Sequence, residues 1–103
     1  MTRIQRSQFE KNMFINVNND KHLKSIIKKL LFDYKAIPKK YSEVNYVCFV
    51  IKYLKLVLNN KKHKVPNSKY LISKTSNSKS AYYRYREQLF NEIKSALENE
   101  QCI

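Results

Sequence analysis

Between Leu23 and Tyr34 the apolar residues Leu23, Ile26, Ile27, Leu30, Leu31 and Tyr34 recur at every third or fourth position, while Lys21, Lys24, Lys28, Lys29 and Lys35 occupy the other faces. A 3.6-residue period brings these apolar groups to one side, so the segment reads as an amphipathic helix whose stripe must be covered by the rest of the chain. Asn19 or Asp20 can cap its start, because a short side-chain oxygen accepts from the free N–H groups of a first helical turn. The helix has to end before Pro38, which disfavours helical backbone in the residue preceding it. Residues 1–103 offer no room for a second core, so one domain is expected.

The other segments are assigned around that helix. Residues 1–11 read as a flexible arm, and Met13–Val17 alternates in part ahead of a polar Asn-Asn-Asp cluster, which suggests a short strand. After Ser42-Glu43-Val44, the residues Tyr46, Val47, Val50, Leu54, Val57 and Leu58 fit one helical face. The β-branched and aromatic content of Val44–Ile51 also suits a strand, so a helix is expected from Val50 to Asn59 with its start open. Lys69–Thr75 and Ser80–Arg86, separated by Ser76-Asn77-Ser78, read as a β-hairpin. Leu89, Phe90, Ile93, Ala96 and Leu97 give a final helical stripe over residues 87–101. The expected fold class is α+β, a small antiparallel sheet with a β-hairpin in the C-terminal half, packed against two or three helices.

Charge is what points to a partner. Lys and Arg number 21 against 8 Asp and Glu, a formal net charge of +13. No acid lies between Glu43 and Glu87, a stretch holding Lys52, Lys55, Lys61, Lys62, Lys64, Lys69, Lys74, Lys79, Arg84 and Arg86, with His63 among its lysines. Unmixed positive charge repels itself in the free protein, and a polyphosphate relieves that repulsion with binding that falls as salt rises. The expected nucleic-acid-binding set is therefore Lys52, Lys55, Lys61, Lys62, His63, Lys64, Lys69, Lys74, Lys79, Arg84 and Arg86. Tyr70, Tyr82, Tyr83 and Tyr85 are interleaved with it. On a strand, Arg84 and Arg86 share the side opposite Tyr83 and Tyr85, so phosphate contact by the arginines is the reading taken.

Several function classes find no support. Glycine is absent, which removes phosphate-cradling loops, dinucleotide fingerprints and glycine-flanked nucleophiles. His22 and His63 have no further ligand at metal-binding spacing, and no carboxylates are paired in an apolar setting. Neither an enzyme, a cofactor, a metal nor a small-molecule substrate is expected. Cys48, within Val47-Cys48-Phe49-Val50, reads as a buried free thiol, and Cys102 lies far from it. Tyr46–Ile51, the longest apolar run, is too short to cross a bilayer, and no secretory segment is visible. A reducing, cytoplasmic compartment and no membrane partner are expected.

The residues from about 12 to 88 resemble the eukaryotic large-subunit ribosomal protein twenty-two family. Phe14-Ile15-Asn16-Val17 and the helix after it resemble that family's first strand and helix. Ser42-Glu43-Val44 followed by Lys52-Tyr53-Leu54-Lys55 resembles a strand end leading into its second helix, which ends in lysines as Lys61-Lys62-His63-Lys64 does. Tyr70-Leu71-Ile72, Asn77-Ser78-Lys79 and Tyr82–Tyr85 resemble its closing hairpin, and an amphipathic helix, Glu87–Asn99, stands in place of its acidic tail. The resemblance implies a structural component of the large ribosomal subunit in the cytoplasm. Its partners would be structured rRNA and neighbouring ribosomal proteins, and Lys52, Lys55, Lys61, Lys62 and Lys64 would be the RNA contacts. A small DNA-binding regulator and a helical adaptor acting through the Tyr-Arg segment are the alternatives.

Overall fold

The structure, a computed structural model, describes residues 1–38, 44–62, 64–76 and 78–101. Five helices account for its regular structure: α1 (Arg3–Asn16), α2 (Lys21–Ala36), α3 (Val44–Leu58), α4 (Ser68–Thr75) and α5 (Lys79–Gln101). The expected α+β class is thereby corrected to all-α, with no strand and no sheet among the described residues.

Local chemistry accounts for each helix. Thr2 caps α1 through a reciprocal pair, its hydroxyl accepting from the Gln5 N–H while the Gln5 side chain accepts from the Thr2 N–H. Residues 3–11, read as an arm, are thus the first turns of a helix. Met13–Val17, read as a strand, is its end. Phe9, Met13, Phe14 and Val17 follow helical spacing, and the last three are buried. Alternation over five residues had hidden a period visible only when Phe9 is included. Asp20 caps α2 by accepting from the Leu23 N–H at 3.1 Å, and α2 stops ahead of Pro38, both as the sequence suggests.

α3 begins at Val44, so the β-branched run does not form a strand. Tyr46, Val47, Phe49, Val50, Tyr53, Leu54 and Val57 are all buried, because neighbours cover α3 on most of its circumference. Cys48 is a free thiol, half-buried on this helix.

The supposed hairpin is a pair of helices. Asn67 caps α4 by accepting from the Lys69 N–H at 2.7 Å. The side chains of α4 sort with helical spacing: Leu71 and Thr75 are buried, whereas Tyr70 is exposed. The Thr75 hydroxyl donates to the Leu71 carbonyl one turn back at 2.6 Å, which satisfies it inside the core. The Ser78 hydroxyl accepts from the Ala81 N–H at 3.2 Å at the head of α5. The stripe Tyr82, Tyr85, Arg86, Leu89, Phe90, Ile93 then runs without a break, so residues 80–86 and 87–101 belong to one helix. Arg86 on the inward face disguised this continuity.

α3 and α5 each pack against all four other helices. The core between them is aromatic: Tyr53 lies 5.7 Å from Phe14, 5.6 Å from Phe49 and 5.9 Å from Phe90 between ring centroids, and Phe90 is also 5.0 Å from Phe9. Among the described residues no helix is long and apolar enough to cross a membrane.

Two stability measurements test this packing. Phe90 is fully buried, so Phe90→Ala should cost about 3–5 kcal/mol in denaturant unfolding. A loss below about 1 kcal/mol would mean that α5 does not close the core. The second test is alkaline. Burial is the largest influence raising the phenols of Tyr46, Tyr53 and Tyr82 above their ordinary value of 10.0, with nearby carboxylates adding to it. The raised folded values leave their contribution intact below about pH 10; above that the unfolded chain ionises first and stability falls as pH rises. Tyrosinate absorbance from these residues should therefore appear together with loss of helical circular dichroism, and a fully ionised yet folded protein would contradict their burial.

Candidate nucleic-acid interface

Lys52 and Lys55 are exposed one turn apart on α3, and Lys61, Lys62 and Lys64 are exposed in the connection to α4. His63 lies outside the described residues. On α4 the exposed side chains include Lys69, Tyr70, Ser73 and Lys74, and on the first turns of α5 they are Lys79, Ser80, Tyr83 and Arg84. Both sets flank or oppose the core-facing residues, Leu71 and Thr75 on α4 and Tyr82 on α5. The two helices are joined by residues 76–78. The Lys74 ammonium lies 5.7 Å from the Tyr70 ring centre, and the Arg84 guanidinium 5.1 Å from that of Tyr85.

Arg86 departs from the expected set. Two residues along a helix is about 200° of rotation, so Arg84 and Arg86 point in nearly opposite directions instead of sharing a strand face. The Arg86 side chain is 14% exposed, its guanidinium 5.6 Å from the Tyr82 ring centre, 5.1 Å from that of Tyr83 and 5.6 Å from that of Phe90. Its Nη1 lies 3.5 Å from Glu10 Oε2, which also accepts from the Tyr53 hydroxyl at 2.6 Å.

Glu10, Glu87 and Glu92 are each engaged by side chains of other helices. Glu92 accepts from the hydroxyls of Tyr34, at 2.6 Å, and Tyr46. Glu87 accepts from Arg6, and this hydrogen bond is the largest influence holding its carboxyl below the ordinary value of 4.5. Residues 68–75 and 79–86 contain no acid, so the outer faces of α4 and of the first turns of α5 carry one sign of charge. The positive end of the α5 dipole adds to it.

Beside these faces is a cleft of about 400 Å³, lined by Arg3, Arg6, Ser7 and Glu10 from α1, Ser68 from α4, and Tyr83 and Arg86 from α5. The sequence reading missed Arg3, Arg6 and Glu10 because it left residues 1–11 as an arm. Their spacing of three, four and seven is nonetheless a helical face once Thr2 and Gln5 are recognised as a capping pair. No group of three or more His, Cys, Asp or Glu placed to hold a metal occurs among the described residues. The chain matches no family model, no curated protein and no solved structure.

The Arg6–Glu87 pair supports an acid-side prediction. Because the folded value of Glu87 is depressed, the pair's stabilisation is present above about pH 4.5 and is lost as pH falls through the folded value. The Glu87 side chain is 33% exposed, so solvent screening keeps the coupling in a double-mutant cycle of Arg6→Gln and Glu87→Gln to about 0.2–1 kcal/mol at neutral pH. No coupling at neutral pH would show that the pair holds nothing.

Proposed function

We propose that the protein has a binding role, not a catalytic one, and that it docks on structured RNA as a component of a ribonucleoprotein. One observation supports this reading most directly. In the acid-free stretch between Glu43 and Glu87, every Lys and Arg except Arg86 is exposed on a packed helical scaffold. Phosphates would be met by the lysines as point charges and by Arg84 with a fork able to make two parallel hydrogen bonds. Of the acids, Glu10, Glu87 and Glu92 are engaged by tyrosine hydroxyls and guanidinium groups.

A cytoplasmic large ribosomal subunit, with rRNA and neighbouring ribosomal proteins as partners, is the specific form that the sequence resemblance suggests. The strand-forming segments of that resemblance, residues 14–17, 70–72 and 82–85, are helical or cap a helix here. The proposal therefore rests on the charge and its placement. A second reading, a small DNA-binding regulator, is favoured by one feature. α4 is an eight-residue helix followed by a three-residue connection and by α5, whose exposed first turns carry Lys79, Ser80, Tyr83 and Arg84. A helix in that position with such side chains can enter the major groove of B-DNA, whereas the major groove of A-form RNA is too narrow to admit it.

Equilibrium binding to a structured RNA and to a DNA duplex of equal charge, each across a salt series, tests the proposal. Affinity for RNA should fall log-linearly with salt, each neutralised phosphate contributing somewhat under one unit of slope. Changing Lys69, Lys74, Lys79 and Arg84 together to Gln should lower that slope by roughly 3 units with little change in the thermal midpoint. Changing Lys21, Lys29 and Lys35 on α2 should have a smaller effect. A flat salt response would overturn the electrostatic mechanism, and sequence-dependent preference for the DNA duplex would select the second reading.

A further inference from the structure

The cleft between α1, the start of α4 and α5 holds more donor capacity than the protein itself uses. Arg3, Arg6 and Arg86 bring three guanidinium groups to its lining, against one carboxylate, Glu10. Glu10 Oε2 already accepts from the Tyr53 hydroxyl and lies 3.5 Å from Arg86 Nη1. Arg6 likewise meets its carboxylate, Glu87, through Nη1. In both arginines Nε is buried and has no hydrogen-bond acceptor among the described residues. A guanidinium has five N–H donors in a planar fork, and a buried donor without an acceptor is costly, so these pairings leave each fork incomplete. Arg86 is also held in place by the aromatic rings of Tyr82, Tyr83 and Phe90. A cation positioned that way loses little freedom on binding.

The rest of the lining has the same polarity. Ser7, Ser68 and Tyr83 supply hydroxyls, and Ser68 stands in the first turn of α4, where the helix dipole is positive. Arg3 is exposed and forms no ion pair among the described residues. A volume of about 400 Å³ is at the lower end of the range for small-ligand clefts.

We propose that this cleft is a binding site for one phosphate group, gripped by Arg3, Arg6 and Arg86 and bordered by the hydroxyls of Ser7, Ser68 and Tyr83. Two sources share that chemistry, a phosphate of a bound nucleic acid and a free phosphate ion. Choosing the first rests on the RNA-binding reading; anion binding by the cleft does not. The site adds what the lysine surface lacks, a fixed geometry for a single phosphate, and it would set the register of an RNA that the outer faces of α4 and α5 hold less selectively.

The experiment follows the arginine Nε–H signals of the full chain by ¹H–¹⁵N NMR. One arm titrates inorganic phosphate against chloride at equal ionic strength, and another titrates a short RNA with and without a 5′ phosphate. The expected result is that the Arg6 and Arg86 signals move and saturate with phosphate. Arg3→Gln, at an exposed position, should weaken that binding about tenfold while leaving the spectrum of the folded core in place. Arg86→Gln is a poorer probe because Arg86 also serves the core. Movement with RNA dependent on the 5′ phosphate assigns a chain-end phosphate, movement with either RNA a backbone phosphate, and movement with inorganic phosphate alone the free ion; all three support the site. RNA binding that leaves both arginine signals unmoved, together with no response to inorganic phosphate, overturns the site and leaves the RNA-binding reading intact. A saturable phosphate response in a protein that binds no RNA keeps the site and removes that reading.

Discussion

The Glu10 carboxylate is where α1, α3 and α5 are tied together. Glu10 is only 8% exposed, and a carboxylate so placed is tolerable only if donors replace the water it has lost. The Tyr53 hydroxyl from α3 donates to it, and the Arg86 guanidinium from α5 supplies the opposite charge 3.5 Å away. Tyr53 can serve because its ring is fully buried among Phe14, Phe49 and Phe90, which fixes where its hydroxyl points. Arg86 can serve because three aromatic rings cover its apolar stem and face. The aromatic core and the polar contact at its edge are thus one arrangement. Each positions the other, and the relative placement of the three helices follows.

Glu92 repeats the device on the other side, joining α5 to α2 and α3 through Tyr34 and Tyr46. The sequence has 8 acidic residues against 21 basic ones, and Glu10, Glu87 and Glu92 are engaged by the protein's own tyrosines and arginines. The acid-free surface of α4 and of the first turns of α5 is set by the sequence, which places no acid between Glu43 and Glu87.

How much of this was readable depended on the window over which a period could be seen. α2 was readable because six apolar positions recur at helical spacing with five lysines on the other faces, bounded by Asp20 and Pro38. The burial of Leu89, Phe90 and Ile93 was readable for the same reason. α4 and the first turns of α5 were not. Tyr-Leu-Ile and Tyr-Tyr-Arg-Tyr are short, aromatic and compatible with alternation, and sheet propensity dominates a reading confined to five or six residues. The missing signals were the cap at Asn67, the hydroxyl of Ser78 and the inward place of Arg86, a charged residue that a hydrophobicity pattern counts as outward. The exposed lysines were legible because few environments bury an unpaired ammonium. Arg3 and Arg6 were not, since their role depends on a helix whose cap had been overlooked.

α5 gives these separate features a common direction. At about 1.5 Å per residue its 23 residues extend roughly 35 Å, comparable to the longest dimension of the domain, 34 Å. Lys79 and Arg84 stand on its first turns beside the arginine cleft, while Glu98 stands exposed near its other end. The helix dipole has the same sense, positive at Lys79 and negative at the C-terminal end. Side-chain charge and backbone dipole therefore agree in making the Lys79 end of α5 its positive end. On the binding role proposed above, a polyanion would be drawn to that end of α5 before contact, with the acidic end turned away from it.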